Sequence, residues 1–410
     1  MIPALRAHRQ RLRRRAAAVE PRVTRRAVPA AGDRVIRRVM TGTSHSSPSA
    51  YPQAGLLGAG SARAVAPLDD ATLLRLHELI VEGRALEERL IRMQRGGDGY
   101  FWIGGPGEEA FNASLGLLVK RGRGVEHDYL HLHYRSSATL LAMGADPVDA
   151  LRQMKSVATD PYSGGRNFCG HGSIPAWNVA PISSPIEVQY AMAIGTAMAQ
   201  RRAGDGITIV QGGDAGTAEG DFASCLVWST RPGEELPILI IVTHNQWGIS
   251  TAASTQHGEQ RIADRGKAFG MKTATIDGND PESAYRGLEA AMAYVRKERK
   301  PFLLEANVSR LYGHSSSSGS NYVDGELDCL TESEKRVLSR GLRTEAELKA
   351  LRAGWEERLL HASRMVVLEP KPEGELVWEH VFAERDHVGE GSRAVPYDNR
   401  FYGPPSGAKA

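Results

Sequence analysis

Two short β-branched runs, Ile207 to Val210 and Leu236 to Thr243, flank a stretch of helical character from Ala218 to Thr230. No other part of the chain restricts the fold as strongly. Each run is apolar throughout and bounded by Gly, Pro or charge, the pattern of an inner strand of a parallel sheet buried on both faces. A strand–helix–strand crossover makes the two strands run the same way. Asp214 and Asn245, each just past the end of its strand, therefore emerge on one rim, where open α/β sheets take ligands.

A carboxylate, a side-chain amide and the backbone carbonyl near Trp247 offer three oxygens to one hard cation, leaving other octahedral positions for phosphate oxygens and water. Gly212, Gly213 and Gly216 let backbone approach a phosphate without a Cβ in the way, and the helix that follows offers its N-terminal N–H groups. This outlines a Mg²⁺-diphosphate site. The alternative is a glycine-rich turn from strand to helix with no ligand. A dinucleotide-binding turn is excluded, because no GxGxxG follows the strand.

The segment GGDAGTAEGDF at 212–222, followed by HNQWGIST at 244–251, resembles the thiamine-diphosphate signature of the α subunit of 2-oxoacid dehydrogenase complexes. GYFWIGGPGEEA (99–110), HYR (133–135), ISSPIEVQ (182–189), IDGND (276–280), PFLLEA (301–306) and RLYGHSSS (310–317) resemble segments of the same family in the same order. The resemblance spans residues 70 to 385 and implies an α/β thiamine-diphosphate-binding fold, a mostly parallel sheet with helices on both faces. It implies oxidative decarboxylation of a 2-oxo acid on thiamine diphosphate with Mg²⁺, followed by acyl transfer to a lipoyl group.

The site residues follow from the same resemblance. Asp214, Asn245 and the carbonyl at Trp247 hold the metal; Tyr134 and Arg135 donate to the diphosphate, a role suited to a phenol and a guanidinium fork. Gly213, Ala215 and Gly216 form the phosphate turn. Ser183, Ser184 and Pro185 approach the aminopyrimidine ring, and Ile186 stands where relatives carry an aliphatic wedge that bends the cofactor. His314 and His171 are the catalytic candidates. Phe101 and Trp102 are candidates to line the channel, although two aromatics beside glycines are more often core or interface, and Glu108 and Glu109 are read as helix-start residues complementing the dipole.

The family's β chain supplies the glutamate that activates the aminopyrimidine, so the implied partners are a β subunit, in a heterotetramer of two α and two β chains, and a lipoylated acyltransferase core. This chain alone is expected to be inactive. The corner at 99–110 leans toward the branched-chain members and 2-oxoisovalerate, with pyruvate and acetoin as alternatives.

Several positions depart from the family pattern. Ala215 and Gly216 invert the common order; Thr243 replaces a diphosphate-contacting arginine and His244 the first of two asparagines. Ser318 replaces an aspartate that orders the histidine loop, and Val188 a threonine that in relatives helps hold potassium. Ser315 aligns with a position phosphorylated in the animal enzymes. These departures sustain a rival from another class, a catalytically degenerate paralogue with a structural or regulatory role.

Charge is unevenly placed. Residues 1 to 40 hold twelve arginines against Glu20 and Asp33, a local charge of +10, so a total of +3 leaves −7 for the rest. Three readings stand for this leader: a mitochondrial transit peptide, a basic arm for an acidic surface, or translation from a start upstream of Met40. Residues 1–66 are expected to be a disordered leader and linker, 67–385 the cofactor-binding domain and 386–410 a loose tail. Cys169, Cys225 and Cys329, with no CxxC spacing, fit a reducing compartment. The expected location is the cytoplasm, or the mitochondrial matrix if the leader is a transit peptide; neither membrane nor nucleic acid is an expected partner of the folded part.

The remaining periodicities predict helices over 68–94, 108–119, 147–155, 187–201, 264–270 and 281–297, strands over 272–276 and 301–307, and closing helices within 330–362 capped by Thr331 and Thr344. Alternating His131 and His133 read as an exposed strand.

Overall fold

The computed structural model describes residues 66–374. The Arg-rich leader, the linker up to residue 65 and the expected tail lie outside the described residues.

In chain order the strands are β1 (Tyr129–His131), β2 (Thr208–Gly213), β3 (Ile238–His244), the two-residue β4 (Trp247–Gly248) and β5 (Thr251–Ala252), β6 (Lys272–Asp277) and β7 (Phe302–Asn307). Five of them pair in the order β1-β2-β3-β7-β6, parallel throughout; β4 and β5 form a small antiparallel hairpin.

Alternate strand residues face opposite sides of the sheet, and each side has its own core. Ile209, Leu239, Ile241 and Leu304 pack with Leu288, Met292 and Val295 of the helix Pro281–Glu298. Val210, Ile240, Val242 and Leu303 pack with Tyr190 of the helix Val188–Ala203 and with Phe222 and Leu226 of the helix Gly220–Ser229. The two-sided helical cover explains why the inner strands carry apolar residues on both faces. Ile240→Ala would open a cavity in the middle strand at a cost of about 2 to 5 kcal/mol.

A buried ionic staple joins segments far apart in the chain. Arg84, on the opening helix Asp70–Arg95, meets Glu109 at 2.6 Å and Asp328 at 2.9 Å. Glu109 begins the helix Glu109–Leu118, and Asp328 caps the helix Cys329–Ser339. Glu109 is thus structural, as expected.

Four local expectations need correction. β2 continues three residues past Val210, so Gly212 and Gly213 are strand residues paired with Val242 and Thr243. The crossover helix starts at Gly220 rather than Ala218, because a 3-10 turn at Ala215–Ala218 intervenes. The first closing helix is capped by Asp328, whose side chain accepts from the Leu330 N–H, and Thr331 falls inside its first turn; Thr344 does cap the second, in a reciprocal pairing with Glu347. His131 and His133 are buried, since the helix Val188–Ala203 covers β1 and its Thr196 hydroxyl pairs with His131 at 2.9 Å.

Candidate active site

Parallel pairing puts the ends of β2 and β3 side by side, with Gly213 opposite Thr243, so Asp214 and Asn245 follow on the same rim. Asp214 is buried. Its Oδ1 accepts the Ala215 N–H at 2.7 Å, while Oδ2 has no donor. The nearest cationic candidate for Oδ2 is His244 Nε2 at 3.6 Å, but that nitrogen accepts from the Gln246 amide at 2.8 Å. The ring proton therefore sits on Nδ1, which donates to Glu305 at 2.8 Å. Asp214 Oδ2 stays bare. A buried carboxylate oxygen without a donor is costly and suits a cation.

Asn245 is oriented from the other side. Its Nδ2 donates to Glu108 Oε1 at 3.3 Å, and its Oδ1 accepts the Trp247 N–H at 3.1 Å. The amide oxygen therefore faces away from Glu108. Gln246 and Ile249 flank Trp247 with φ of 72° and 56°, left-handed positions that non-glycine residues adopt at a cost of about 1 to 3 kcal/mol and that gather at functional sites. Glu108 is buried, its Oε2 has no donor, and burial pushes its carboxyl up to about 7 against the pull of Arg135. Sequence reasoning assigned Glu108 to the helix dipole; the residue instead looks across the rim at Asn245.

The glycine turn also differs from expectation. The Gly213 N–H donates to Glu187 Oε1 at 2.9 Å, and a Cβ on Gly212 or Gly216 would overlap the Glu187 side chain. The glycines make room for a carboxylate of the chain itself. Burial raises that carboxyl to about 8, opposed by the Gly213 hydrogen bond and reinforced by Asp214 and Glu219.

Arg135 is buried at the far wall. It donates to His314 Nδ1 at 3.0 Å and to the His314 carbonyl at 3.2 Å, and lies over the Tyr134 ring at 5.3 Å. Accepting at Nδ1 leaves the His314 proton on Nε2, and burial with Arg135 and Arg310 nearby holds this histidine down at about 4, neutral at ordinary pH. The loop that carries it is ordered by hydroxyls. Ser315 and Ser318 cap each other, and Ser316 exchanges hydrogen bonds with the Trp102 backbone. Ser318 thus orders the turn without an aspartate, and Ser315 is buried.

Tyr134, Arg135, Ser184, Ile186, Gly213, Asp214, Ala215, Gly216, Asn245, Trp247 and His314 all line one cleft. Phe101 and Phe168, edge to face at 5.1 Å, close one side of it. Two expected residues lie elsewhere. Trp102 is in the core, its indole N–H donating to Glu87 at 2.9 Å. His171 lines an adjoining, mainly apolar cavity; its Nδ1 donates to the Cys169 carbonyl at 3.0 Å, so its Nε2 accepts the Ser184 hydroxyl. It reaches the cleft through Ser184. Sequence reasoning missed Glu187 and Phe168 as cleft residues; the signal for Glu187 was an acid directly after the cleft segment, read as the first residue of a helix.

Residues 77–375 match the model of the dehydrogenase E1 component. The chain belongs to that family. It is similar to the 2-oxoisovalerate dehydrogenase subunit alpha of Bacillus subtilis (strain 168), 29% identical over 259 residues covering 63% of this chain and 77% of that one. It is similar to the mitochondrial 2-oxoisovalerate dehydrogenase subunit alpha of Mus musculus, 26% identical over 333 residues, 77% of this chain and 72% of the relative. To the mitochondrial subunit alpha 2 of Arabidopsis thaliana it is 26% identical over 326 residues, 77% and 67% of the two chains.

As an E1 component of the α-subunit type, the chain is part of a 2-oxoacid dehydrogenase, a class that generally uses thiamine diphosphate, a β subunit and an acyltransferase core. Within this E1 component two of the departing side chains are engaged with the chain itself. Thr243 turns its hydroxyl to the Gly212 carbonyl at 3.2 Å, and His244 is committed to Glu305. Among the described residues the three cysteines are free and buried, and no helix is long and apolar enough to cross a membrane.

Proposed function

We propose that this E1 component chain holds thiamine diphosphate with Mg²⁺ in the cleft and, in a heterotetramer with a β subunit, decarboxylates a branched-chain 2-oxo acid such as 2-oxoisovalerate. The acyl group then passes to a lipoyl group of an acyltransferase core. The observation that carries this reading is the pair of adjacent strand ends. Asp214 Oδ2 is buried without a donor, and Asn245 has its N–H₂ turned to Glu108, so two oxygens remain for a hard cation.

The Trp247 carbonyl is the third ligand in this reading. Tyr134 and Arg135 donate to the diphosphate, with Gly213, Ala215 and Gly216 beside it. Ile186, 59% exposed on the cleft wall, is the wedge under the rings, and Ser184 borders the aminopyrimidine. Bound thiamine diphosphate supplies the electron sink for loss of CO₂. His314, neutral with its proton on Nε2, donates at the substrate oxygen, and its Nδ1 bond to Arg135 keeps that tautomer. His171 acts on the cleft through the Ser184 hydroxyl. Phe101 and Phe168 keep water from the reacting end.

The branched-chain substrate rests on the names of the relatives, and the cytoplasm is the proposed location, with the mitochondrial matrix as the alternative that the mouse relative's name raises. The test is calorimetry with thiamine diphosphate and Mg²⁺ on the full chain and its β subunit, followed by rates with 2-oxoisovalerate, pyruvate and acetoin. Metal-dependent binding and fastest turnover of 2-oxoisovalerate support the reading; faster turnover of pyruvate or acetoin moves the substrate. Saturating cofactor with neither heat nor turnover overturns it and leaves a degenerate structural partner.

A further inference from the structure

Glu187 is held in place more firmly than a helix-start residue requires. Its side chain is buried and its backbone is left-handed, with φ of 61°, a conformation that an L-residue with a long side chain seldom keeps without compensation. The compensation is a closed set of hydrogen bonds. Oε1 accepts the Gly213 N–H at 2.9 Å; Oε2 accepts the Gln189 amide at 2.9 Å, and that amide also donates to the Gln211 carbonyl at 3.0 Å. The carboxylate thus ties the end of β2 to the segment carrying Ser184 and Ile186. Gly212 and Gly216, on either side of Asp214, are the positions where any Cβ would expel it.

We propose that Glu187 is a positioning residue for the cation end of the cleft: by gripping the Gly213 N–H, it fixes the turn so that Asp214 keeps one oxygen on its own backbone and presents the other, unpartnered one, to a divalent cation. This rests on the cofactor reading above. It also reassigns the glycines, which admit the chain's own carboxylate so that the next residue can serve the metal.

The experiment uses the full chain with its β subunit, Mn²⁺ as the probe, and thiamine diphosphate, read by calorimetry and by the Mn²⁺ paramagnetic resonance signal. Glu187→Ala weakens Mn²⁺ binding by about tenfold, the scale of losing one hydrogen bond. Glu187→Gln, which keeps an oxygen for Gly213, stays within about threefold of the unaltered protein on the same scale. Where the alanine variant does not fold, Glu187→Asp, a methylene too short to reach Gly213, carries the same expectation. Gly216→Ala reproduces the loss on its own and adds nothing to Glu187→Ala, because the side chain it would strike is gone. Unchanged Mn²⁺ affinity in Glu187→Ala, or additive losses in the double variant, overturns the proposal while the cofactor reading stands. No Mn²⁺-dependent cofactor binding in the unaltered protein overturns both, so the two failures are distinguishable.

Discussion

Asn245 donates its side-chain N–H₂ to Glu108 across 3.3 Å, and this contact, between a strand end and a helix start 137 residues apart, decides which end of the amide faces the cleft. Truncating Glu108 removes one of the two hydrogen bonds that orient the amide and leaves only that from the Trp247 N–H. Glu108→Ala is expected to weaken metal-dependent cofactor binding by about five- to thirteenfold, the order of 1 to 1.5 kcal/mol for one lost hydrogen bond. Calorimetry of the two proteins side by side checks it; equal affinities would show that Asn245 needs no such guide.

Asp214 offers the reverse trade between function and stability. Its bare Oδ2 opposes folding in the absence of a cation, so Asp214→Asn should melt at the same or a higher temperature than the unaltered protein without metal. Mg²⁺-dependent thiamine diphosphate binding should fall by about a hundredfold, the equivalent of roughly 2.7 kcal/mol. A lower melting temperature with binding retained would contradict the assignment on both counts.

Ile186 separates ligand contact from packing. A large apolar side chain left 59% exposed gains little from the fold, and Ile186→Ala should change stability by no more than about 0.5 kcal/mol. Turnover should drop severalfold with little change in KM, since the lost contact bends the cofactor and leaves substrate contacts intact. Denaturant melts paired with steady-state rates test this, and a stability loss without a rate effect would make Ile186 a packing residue.

The parallel sheet and the position of Asp214 and Asn245 were legible because β-branched runs and an intervening helix admit few other arrangements. Boundaries were less so: Gly212 and Gly213 have no strand propensity, yet pairing with Val242 and Thr243 carries β2 through them. Glu108 and Glu187 were misjudged, and Trp102 was left between channel and core, for a common reason. Local sequence says that an acid starts a helix or that an aromatic sits beside glycines; it does not say which distant group that side chain meets. Glu108 meets Asn245, Glu187 meets Gly213, and Trp102 meets Glu87.

Glu82, on the opening helix and away from the cleft, gives a pH signature. Burial raises its carboxyl to about 7, partly offset by Arg75 and Arg358, against an ordinary value of 4.5. With the folded value above the unfolded one, the protonated form belongs to the fold: stability is full below about pH 4.5 and declines as pH rises through 7. Glu82→Gln removes that decline. It should match the unaltered protein near pH 4.5 and exceed it by on the order of 1 to 3 kcal/mol at pH 8. Thermal melts at the two pH values decide, and a variant advantage confined to acid would reverse the argument.

Arg84 meets Glu109, 25 residues downstream, but its second carboxylate, Asp328, lies 244 residues away. During synthesis Glu109 can neutralise the guanidinium early, yet the acceptor for its remaining N–H donors leaves the ribosome only near the end. The opening helix must therefore wait for the carboxyl-terminal third before its buried charge is fully satisfied, which makes closure of this network a late folding event. A nascent chain released before Asp328 would bury guanidinium N–H donors without an acceptor, and should be found in aggregates or in the hands of chaperones rather than as free folded protein.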